Sequence, residues 1–280
     1  MTEVATSDQL LVVIDPLARH TDSESVRIAK DVLSAGAASA KVCLPQGPEE
    51  FARALERRGS RRPVVVGDDR ALLRAVSLLH RQRELDACAL SLVPVGDAGV
   101  LARSLGVPTG TVAAARAALD GAERWLDLLV DDSDGVVLGA VGIPPVPVAP
   151  TVIEPSVMTP SSWLRTCQSF VRTLATRPPR LASPAAPEPS RLRVEVDGAT
   201  LVDLDQPVEA VSVAPNGGGA AVEVRPVPVG TEAEPLRAVG RRVTVSGPTF
   251  RYRADSVVTG PVRTRTWTVR EGAWGLTLPG

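Results

Sequence analysis

The chain has 280 residues, which is long enough for one large domain or two modest ones. It is 44% hydrophobic and 22% charged, as is typical of a soluble globular protein, and its net charge of −1 excludes a field that would attract nucleic acid. No apolar run reaches the ~20 residues needed to span a bilayer. The cysteines Cys43, Cys88 and Cys167 are odd in number and form no CxxC pair, which predicts a reduced, cytoplasmic protein.

The first half of the chain alternates strands and helices. Continuous apolar strands joined by helices predict a parallel sheet covered on both faces, and so an α/β domain over residues 1–142. The predicted strands lie in LLVVID, AKVCLP, PVVVG, ACALSLVPVG, RWLDLLV and GVVLGAVG. The predicted helices lie in SESVRIAKDVLSAG, PEEFARALERRG, residues 71–80, AGVLARSLG and TVAAARAALDG.

The second half changes character twice. Residues 144–190 contain eleven prolines, so residues 143–190 are predicted to be a linker with one docked helix in SSWLRTCQSFVRTLATR. From Arg191 the pattern alternates, with a hairpin signal at Asp197-Gly198, which predicts an antiparallel β-sandwich domain over residues 191–280. Its predicted strands lie in RLRVEVDG, PVEAVSVA, AAVEVRPVPV, RRVTVSG, FRYRADS and RTWTVREGAWGLTLP, and NGGGA is interpreted as a loop between two of them.

The candidate site is a set of loops that follow strands. The chain has no GxSxG, no HExxH and no metal-ligand spacing, and its two histidines, His20 and His80, are predicted to be exposed. In an open parallel sheet, ligands bind beyond the carboxyl ends of the strands, so three loops are expected to converge on one crevice. They are Asp15, Pro16, Leu17 and Ala18; Gly67, Asp68, Asp69 and Arg70; and Pro94, Val95, Gly96 and Asp97.

All three of these loops carry a family resemblance. VVVGDDRALLRAV resembles the GGDGT turn of the diacylglycerol kinase family of lipid kinases, which shares its catalytic fold with NAD kinases. VIDPLA stands at the family's N-P turn, and the C-terminal strands resemble its β-sandwich. LVPVGDAGVLARSLGVP is similar to the family's P-x-G-T-x-N-D-x-A-R-x-L-G-I-P stretch, matching at Pro94, Gly96, Ala102, Arg103, Leu105, Gly106 and Pro108.

The resemblance implies ATP and Mg²⁺ as cofactors and a lipid hydroxyl as acceptor, but the functional positions depart from the family pattern. In the glycine-rich turn Gly67 and Asp69 match, whereas Asp68 and Arg70 replace glycines and Ala71 replaces the threonine. Elsewhere Asp15 stands for the asparagine of the N-P turn, and Asp97, Gly99 and Val100 stand for Thr, Asn and Asp. Asp255-Ser256-Val257 occupies the family's D-G-E, from which its acid–base function is drawn, so Asp69 and Asp255 are the catalytic candidates.

These replacements are expected to oppose phosphate binding. A Cβ atom and a carboxylate prevent the close backbone approach that glycine allows. Asp15, Asp68, Asp69 and Asp97 would face a phosphate chain with like charges, each pair costing about 2–3 kcal/mol at ~6 Å and an effective dielectric of ~20. Arg70 could offset one of them and a divalent cation more; the other reading is that these carboxylates are solvated on exposed loops.

Three hypotheses follow. The first is a diacylglycerol-kinase-fold protein that is catalytically degenerate and acts as a binding or regulatory module. The alternative is an active ATP-dependent lipid kinase in which Asp69 and Asp255 act on Mg²⁺ and the acceptor hydroxyl. The third is a structural partner that uses the aromatic-rich C-terminal sheet as an interface. The partners that these hypotheses imply are a lipid or other apolar ligand, a peripheral membrane contact and a second copy of the chain.

Overall fold

A computed structural model describes residues 9–96, 99–145, 189–228 and 234–280. The predicted helix in SSWLRTCQSFVRTLATR, together with Asp97 and Cys167, lies outside the described residues.

The N-terminal part contains a parallel sheet with helices on both faces, as predicted, but the predicted strands RWLDLLV and GVVLGAVG pair antiparallel outside it. Its four parallel strands lie side by side in the order β4-β3-β1-β2. The strands are β1 (Gln9–Ile14), β2 (Ser39–Cys43), β3 (Arg62–Gly67) and β4 (Ala89–Pro94). The helices are α1 (Pro16–Thr21), α2 (Ser23–Gly36), α3 (Pro48–Glu56), α4 (Asp69–Gln82), α5 (Val100–Ser104) and α6 (Thr111–Asp120).

The sheet is apolar on both faces because each face is covered by helices. Leu11 and Val13 of β1 belong to a core shared with α3 and α4, whereas Leu10 and Val12 belong to a second core shared with α2 and α6. Alternate residues of one strand thus enter different cores, and no face is left for polar side chains. This explains why LLVVI is a continuous apolar run rather than an alternating one.

The C-terminal part is antiparallel. A third core, which contains Val194, Val211, Val243 and Trp267, fills the space between its strands. The remaining strands are β5 (Ala122–Asp131), β6 (Val136–Val137), β7 (Val141–Ile143), β8 (Ser190–Arg191), β9 (Arg193–Val196), β10 (Ala199–Val202), β11 (Pro207–Asn216), β12 (Gly219–Pro226), β13 (Leu236–Gly240), β14 (Arg242–Ala254) and β15 (Val257–Leu278). The predicted class, α/β followed by a β-sandwich, is therefore confirmed.

The last strand joins the two parts. β15 has 22 residues; its first half pairs with β14, and its end pairs antiparallel with β5 and parallel with β4. Trp267 of this strand is buried in the sandwich core and Trp274 in the core under α4. Hydrogen bonding therefore runs without a break between the two predicted domains, whose boundaries at residues 142 and 191 stay predictions.

Four segments differ from the sequence prediction. The Asp15 loop continues into α1, whose six residues are too few to show a periodicity. GVVLGAVG forms two strands, β6 and β7, because its middle turns around Asp255. RRVTVSG and FRYRADS are one strand, β14, with irregular pairing between Ser246 and Phe250. The short β13 was not predicted, whereas the Asp197-Gly198 hairpin and the turn within NGGGA were.

Candidate functional site

The crevice begins where β1, β3 and β4 end. The ends are tied together by backbone hydrogen bonds, from Asp15 N to Val66 O at 2.9 Å and from Val95 N to Gly67 O at 3.0 Å. Gly67 is required for this contact, because a Cβ atom there would lie 2.9 Å from Cβ of Asp15 and 2.8 Å from Cβ of Ala71. The glycine that the sequence motif retains therefore has a packing role that does not depend on a nucleotide.

Asp15 does not face the crevice. It is 4% exposed and caps α1, since its Oδ1 accepts from Leu17 N at 2.9 Å, and Pro16 fills the first helical position. Its other oxygen pairs with Arg74 at 2.5 Å. α1 and Arg74 thus contact both oxygens of Asp15, and its role in cofactor binding stays a prediction.

Asp68 and Asp69 cap two further helices. Asp68 Oδ1 accepts from Ala71 N at 3.0 Å at the start of α4. Asp69 Oδ2 accepts from Leu101 N and its Oδ1 from Ala102 N, both at 3.0 Å, at the start of α5. Free N–H groups and the positive end of the helix dipole make a helix N-terminus an anion site. Here a carboxylate of the chain itself takes that place at each helix.

Asp255 holds the turn between β6 and β7. It follows β14 with φ +49°, and its carboxylate accepts from Leu138 N at 2.9 Å, Gly139 N at 2.7 Å and Ala140 N at 3.0 Å. A Cβ atom at residue 139 would lie 2.9 Å from Asp255 Oδ1, so this position also needs glycine. Burial raises the pKa of the Asp255 carboxyl above its ordinary value of 3.8, and this outweighs the three amide bonds, which favour the charged form.

Two cavities lie between these loops. The larger, of about 560 Å³, is mainly apolar, and the smaller, of about 300 Å³, lies on the side of α1 and Arg70. Asp69 and Ser256 line both cavities. The larger cavity is lined by Asp69, Val100, Leu101, Ser104, Gly139, Ala140, Val141, Gly142, Ser212, Arg253, Asp255 and Ser256. The smaller is lined by Leu17, Ala18, Thr21, Asp68, Asp69, Arg70, Val95, Gly96 and Ser256.

The structure brings together only part of the predicted set. Asp68, Asp69, Arg70 and Gly96 line the smaller cavity, whereas Asp15, Pro16, Gly67 and Pro94 do not. Arg70 is exposed and makes no hydrogen bond or ion pair with any residue that the structure describes. The predicted site residue Asp97 lies outside the described residues.

The sequence interpretation missed the turn at residues 138–140, together with Ser212 and Arg253. Only the glycine at 139 gave a signal, and a lone glycine in an apolar run does not identify a ligand site. The two histidines line neither cavity, and His80 contacts Asp134 at 2.9 Å. Within the described ranges no three His, Cys, Asp or Glu side chains are grouped so that they could hold a metal ion.

A parallel α/β layer, an antiparallel sandwich and a crevice at the strand ends define the fold of the diacylglycerol kinase type. Two solved structures of proteins assigned as diacylglycerol kinases from Bacillus anthracis str. Sterne are similar to this chain over nearly its whole length. One has a TM-score of 0.70 and 13% identity, with 99% of this chain and 98% of that chain covered. The other has a TM-score of 0.62 and 12% identity, with the same coverage. No family model and no curated protein matches the sequence.

The fold implies ATP and Mg²⁺, and several groups at the strand ends that could contact them are already bonded within the chain. The N-terminal amide of α4 that could bind a phosphate already donates to Asp68. The carboxylates that could hold a cation, Asp69 and Asp255, already accept hydrogen bonds from two and three backbone amides.

Among the helices of the described segments, none has the length and apolarity to cross a bilayer.

Proposed function

We propose that this chain is a diacylglycerol-kinase-fold protein whose nucleotide site is degenerate and which acts as a binding module for an apolar ligand. The observation that carries the proposal is that Asp15, Asp68 and Asp69 each cap a helix at the crevice. An anion that entered would have to displace a carboxylate from its amide and would meet its charge at close range. The helix N-termini at the strand ends therefore have hydrogen-bond acceptors without a bound phosphate.

The ligand side of the proposal rests on the larger cavity. Its volume of about 560 Å³ lies within the range of small-molecule sites, its exposed surface is mainly apolar, and six of its twelve lining residues are Val, Leu, Ala or Gly. Burying an alkyl chain there contributes about 0.8 kcal/mol per CH₂, and that gain requires none of the replaced loop residues. A lipid or another apolar molecule is the ligand class that suits this cavity.

The first test measures phosphate transfer. Purified protein with Mg²⁺ and γ-labelled ATP is expected to transfer no label to diacylglycerol acceptors. Labelled lipid that is formed by the parent protein but not by the Asp69→Asn variant would contradict the proposal.

The second test looks for a bound ligand. Native mass spectrometry of protein purified from its host, with lipid extraction, is expected to show a bound apolar molecule. If no lipid co-purifies and no diacylglycerol or phospholipid shifts the Tm, the ligand part fails.

The second candidate is an active ATP-dependent lipid kinase. The observation that favours it is that Asp69 and Asp255 both line the larger cavity and that burial raises the pKa of Asp255, as general acid–base catalysis requires. The observation against the kinase candidate is that both carboxylates already accept hydrogen bonds from backbone amides. The transfer assay separates the two candidates, because only the kinase labels a lipid.

A further inference from the structure

The parallel sheet ends in a strand with one unpaired side. β2 pairs in parallel with β1 from Ser39 to Cys43, and with no other strand that the structure describes. An edge strand presents N–H and C=O groups that another extended chain can pair with. The outer side of β2 can therefore accept one more strand.

A groove of about 310 Å³ lies beside this edge, between β2 and α3. Lys41 and Cys43 line it from the strand, and Arg53, Ala54 and Arg57 line it from the helix and its end. Cys43 and Ala54 are half-buried against the core that the sheet shares with α3 and α4. An edge strand with a helix beside it is thus combined with an apolar base and charged walls.

The groove is basic, although the net charge of the chain is −1. Its charged lining residues are the three cations Lys41, Arg53 and Arg57 and one carboxylate, Glu50. Lys41 and Arg57 make no side-chain hydrogen bond or ion pair with any residue that the structure describes. Arg53 approaches the exposed Glu49 at 3.8 Å. The positive charge of the groove therefore exceeds what the neighbouring carboxylates neutralise.

We propose that this groove binds an acidic, extended segment of another protein as an added strand on β2. Side chains of a strand alternate between the two faces of a sheet, so an added strand continues both faces of β2. On the face towards α3, acidic side chains meet Lys41 and Arg57. On the other face, apolar side chains extend the surface of Ala40 and Val42, which are half-buried against the core shared with α2 and α6. Alternating acidic and apolar residues are the pattern that fits.

A second copy of this chain fits the same edge less well. The antiparallel register that pairs all five residues of β2 with another β2 places Lys41 opposite Lys41 of the second copy. Like charges directly opposite each other are destabilising, and a lysine on an edge strand is a common means of preventing self-pairing. The charge that opposes a second copy favours an acidic partner.

The test titrates three end-blocked peptides into the intact protein by calorimetry. They are the alternating peptide EVEVEV, its permutation EEEVVV, and EVEVEV with N-methyl groups on two adjacent central amides. The permutation keeps the charge but loses the alternation. The methylated peptide keeps both but loses a backbone hydrogen bond in either strand direction, because adjacent amides point to opposite sides. Each is expected to bind at least about tenfold more weakly than EVEVEV.

Lys41→Gln is the decisive variant, and Lys30→Gln is its matched control. Lys30 is the only other lysine of the chain; it is exposed on α2 and does not line the groove. Both lysines are exposed, so neither change should alter the Tm. Only Lys41→Gln should weaken EVEVEV, by about fivefold, the effect of one exposed ion pair.

Three outcomes would overturn the proposal. The first is that EVEVEV does not bind, or that the permuted or methylated peptide binds as tightly. The second is equal weakening by Lys41→Gln and Lys30→Gln, which would mean that the overall charge attracts the peptide. The third is a dimer in sedimentation that protects the amides of residues 39–43 from hydrogen exchange, which would place a second copy on the edge. None of them bears on the proposed apolar site, which shares no lining residue with this groove.

Discussion

Asp255 shows how one residue can satisfy two demands at once. Its positive φ favours glycine, yet its carboxylate accepts three backbone amides from a turn more than a hundred residues away in sequence. The hydrogen bonds therefore outweigh the cost of the left-handed conformation, which Asp tolerates better than most residues. Position 255 thus has a structural reason to be Asp, whether or not the protein catalyses a reaction.

Asp255→Gly is expected to destabilise the protein by about 2–4 kcal/mol, although glycine suits the backbone, because three amides lose their acceptor. Urea unfolding measures the change. The control is Asp134→Gly, at a residue with φ +64° whose side chain is 66% exposed, where a change of about 0.5 kcal/mol or less is expected. Equal effects at both positions would contradict the role of the amide bonds.

At the glycine-rich turn, Asp68→Gly combined with Arg70→Gly is expected to strengthen binding of ATP with Mg²⁺. The first change removes a carboxylate and its bond to the Ala71 amide. The second restores the other glycine but removes a cation that could offset charge, so the gain is partial. Calorimetric titration with ATP and Mg²⁺ measures the affinity of the parent protein and of the double variant. Asp68→Asn separates the causes, since it removes the charge but keeps a cap. Equal or weaker binding by the double variant would mean that the turn does not limit nucleotide binding.

At the scale of elements, the turn between β6 and β7 is shaped by what packs against it. A Cβ atom at Gly139 would lie 2.9 Å from both Asp255 Oδ1 and Leu101 Cδ1, whereas one at Gly142 of β7 would lie 4.0 Å from the nearest atom. Both glycines line the larger cavity. Gly139→Ala is expected to cost about 1–3 kcal/mol through overpacking, and Gly142→Ala clearly less. Thermal unfolding of both variants measures the loss of stability. A similar loss for Gly139→Ala and Gly142→Ala would contradict the role of close packing at Gly139.

The hairpin of β5 and β6 depends on the ionised form of Asp131. Burial alone would raise the pKa of this carboxyl, but bonds from the Ser133 hydroxyl, from the amides of Gly135 and Ser133, and the charge of Arg265 hold it below its ordinary value of 3.8. A lowered pKa in the folded protein stabilises the fold above the unfolded value, and this contribution is lost as the pH falls through the folded value. Asp131 should therefore contribute fully at neutral pH and progressively less below 3.8.

Asp131→Asn is accordingly expected to lower the free energy of unfolding at pH 7 and to flatten its decline in acid. Unfolding curves from pH 7 to pH 2 provide the measurement. Asp205→Asn is a suitable control, because this exposed carboxylate makes no side-chain hydrogen bond or ion pair within the described segments. A variant that keeps the full acid dependence of the parent would show that another carboxylate carries it.

At the scale of the whole molecule, β15 couples the two parts through a continuous strand. Trp267 and Trp274 are both 0% exposed and lie in different cores. Trp267→Ala and Trp274→Ala are each expected to cost about 3–5 kcal/mol and to shift one common unfolding transition. Trp125, which is 46% exposed on β5, is the control, with an expected change below about 1 kcal/mol for Trp125→Ala. Two separate calorimetric transitions, moved one at a time, would contradict this coupling.

Local pattern and length were sufficient for the fold class. The continuous apolar run of β1, the proline and glycine that bracket α3 and the alternation from Arg191 onward reflect burial and backbone geometry that neighbouring residues determine. The same reasoning predicted the hairpin at Asp197-Gly198. It did not predict α1 or β13, because segments of six and five residues show too few repeats of a pattern.

For the site, the sequence by itself determined which loops follow the strands and which motif positions are altered. It could not decide how the altered residues are used, because a carboxylate's effect depends on the atoms it contacts. Only the tertiary structure turns Asp15 towards Arg74 and places Asp69 on the amides of α5. It likewise brings Asp255 to residues 138–140. Hydrogen bonds across such sequence separations arise from packing of the whole chain, and no local pattern records them.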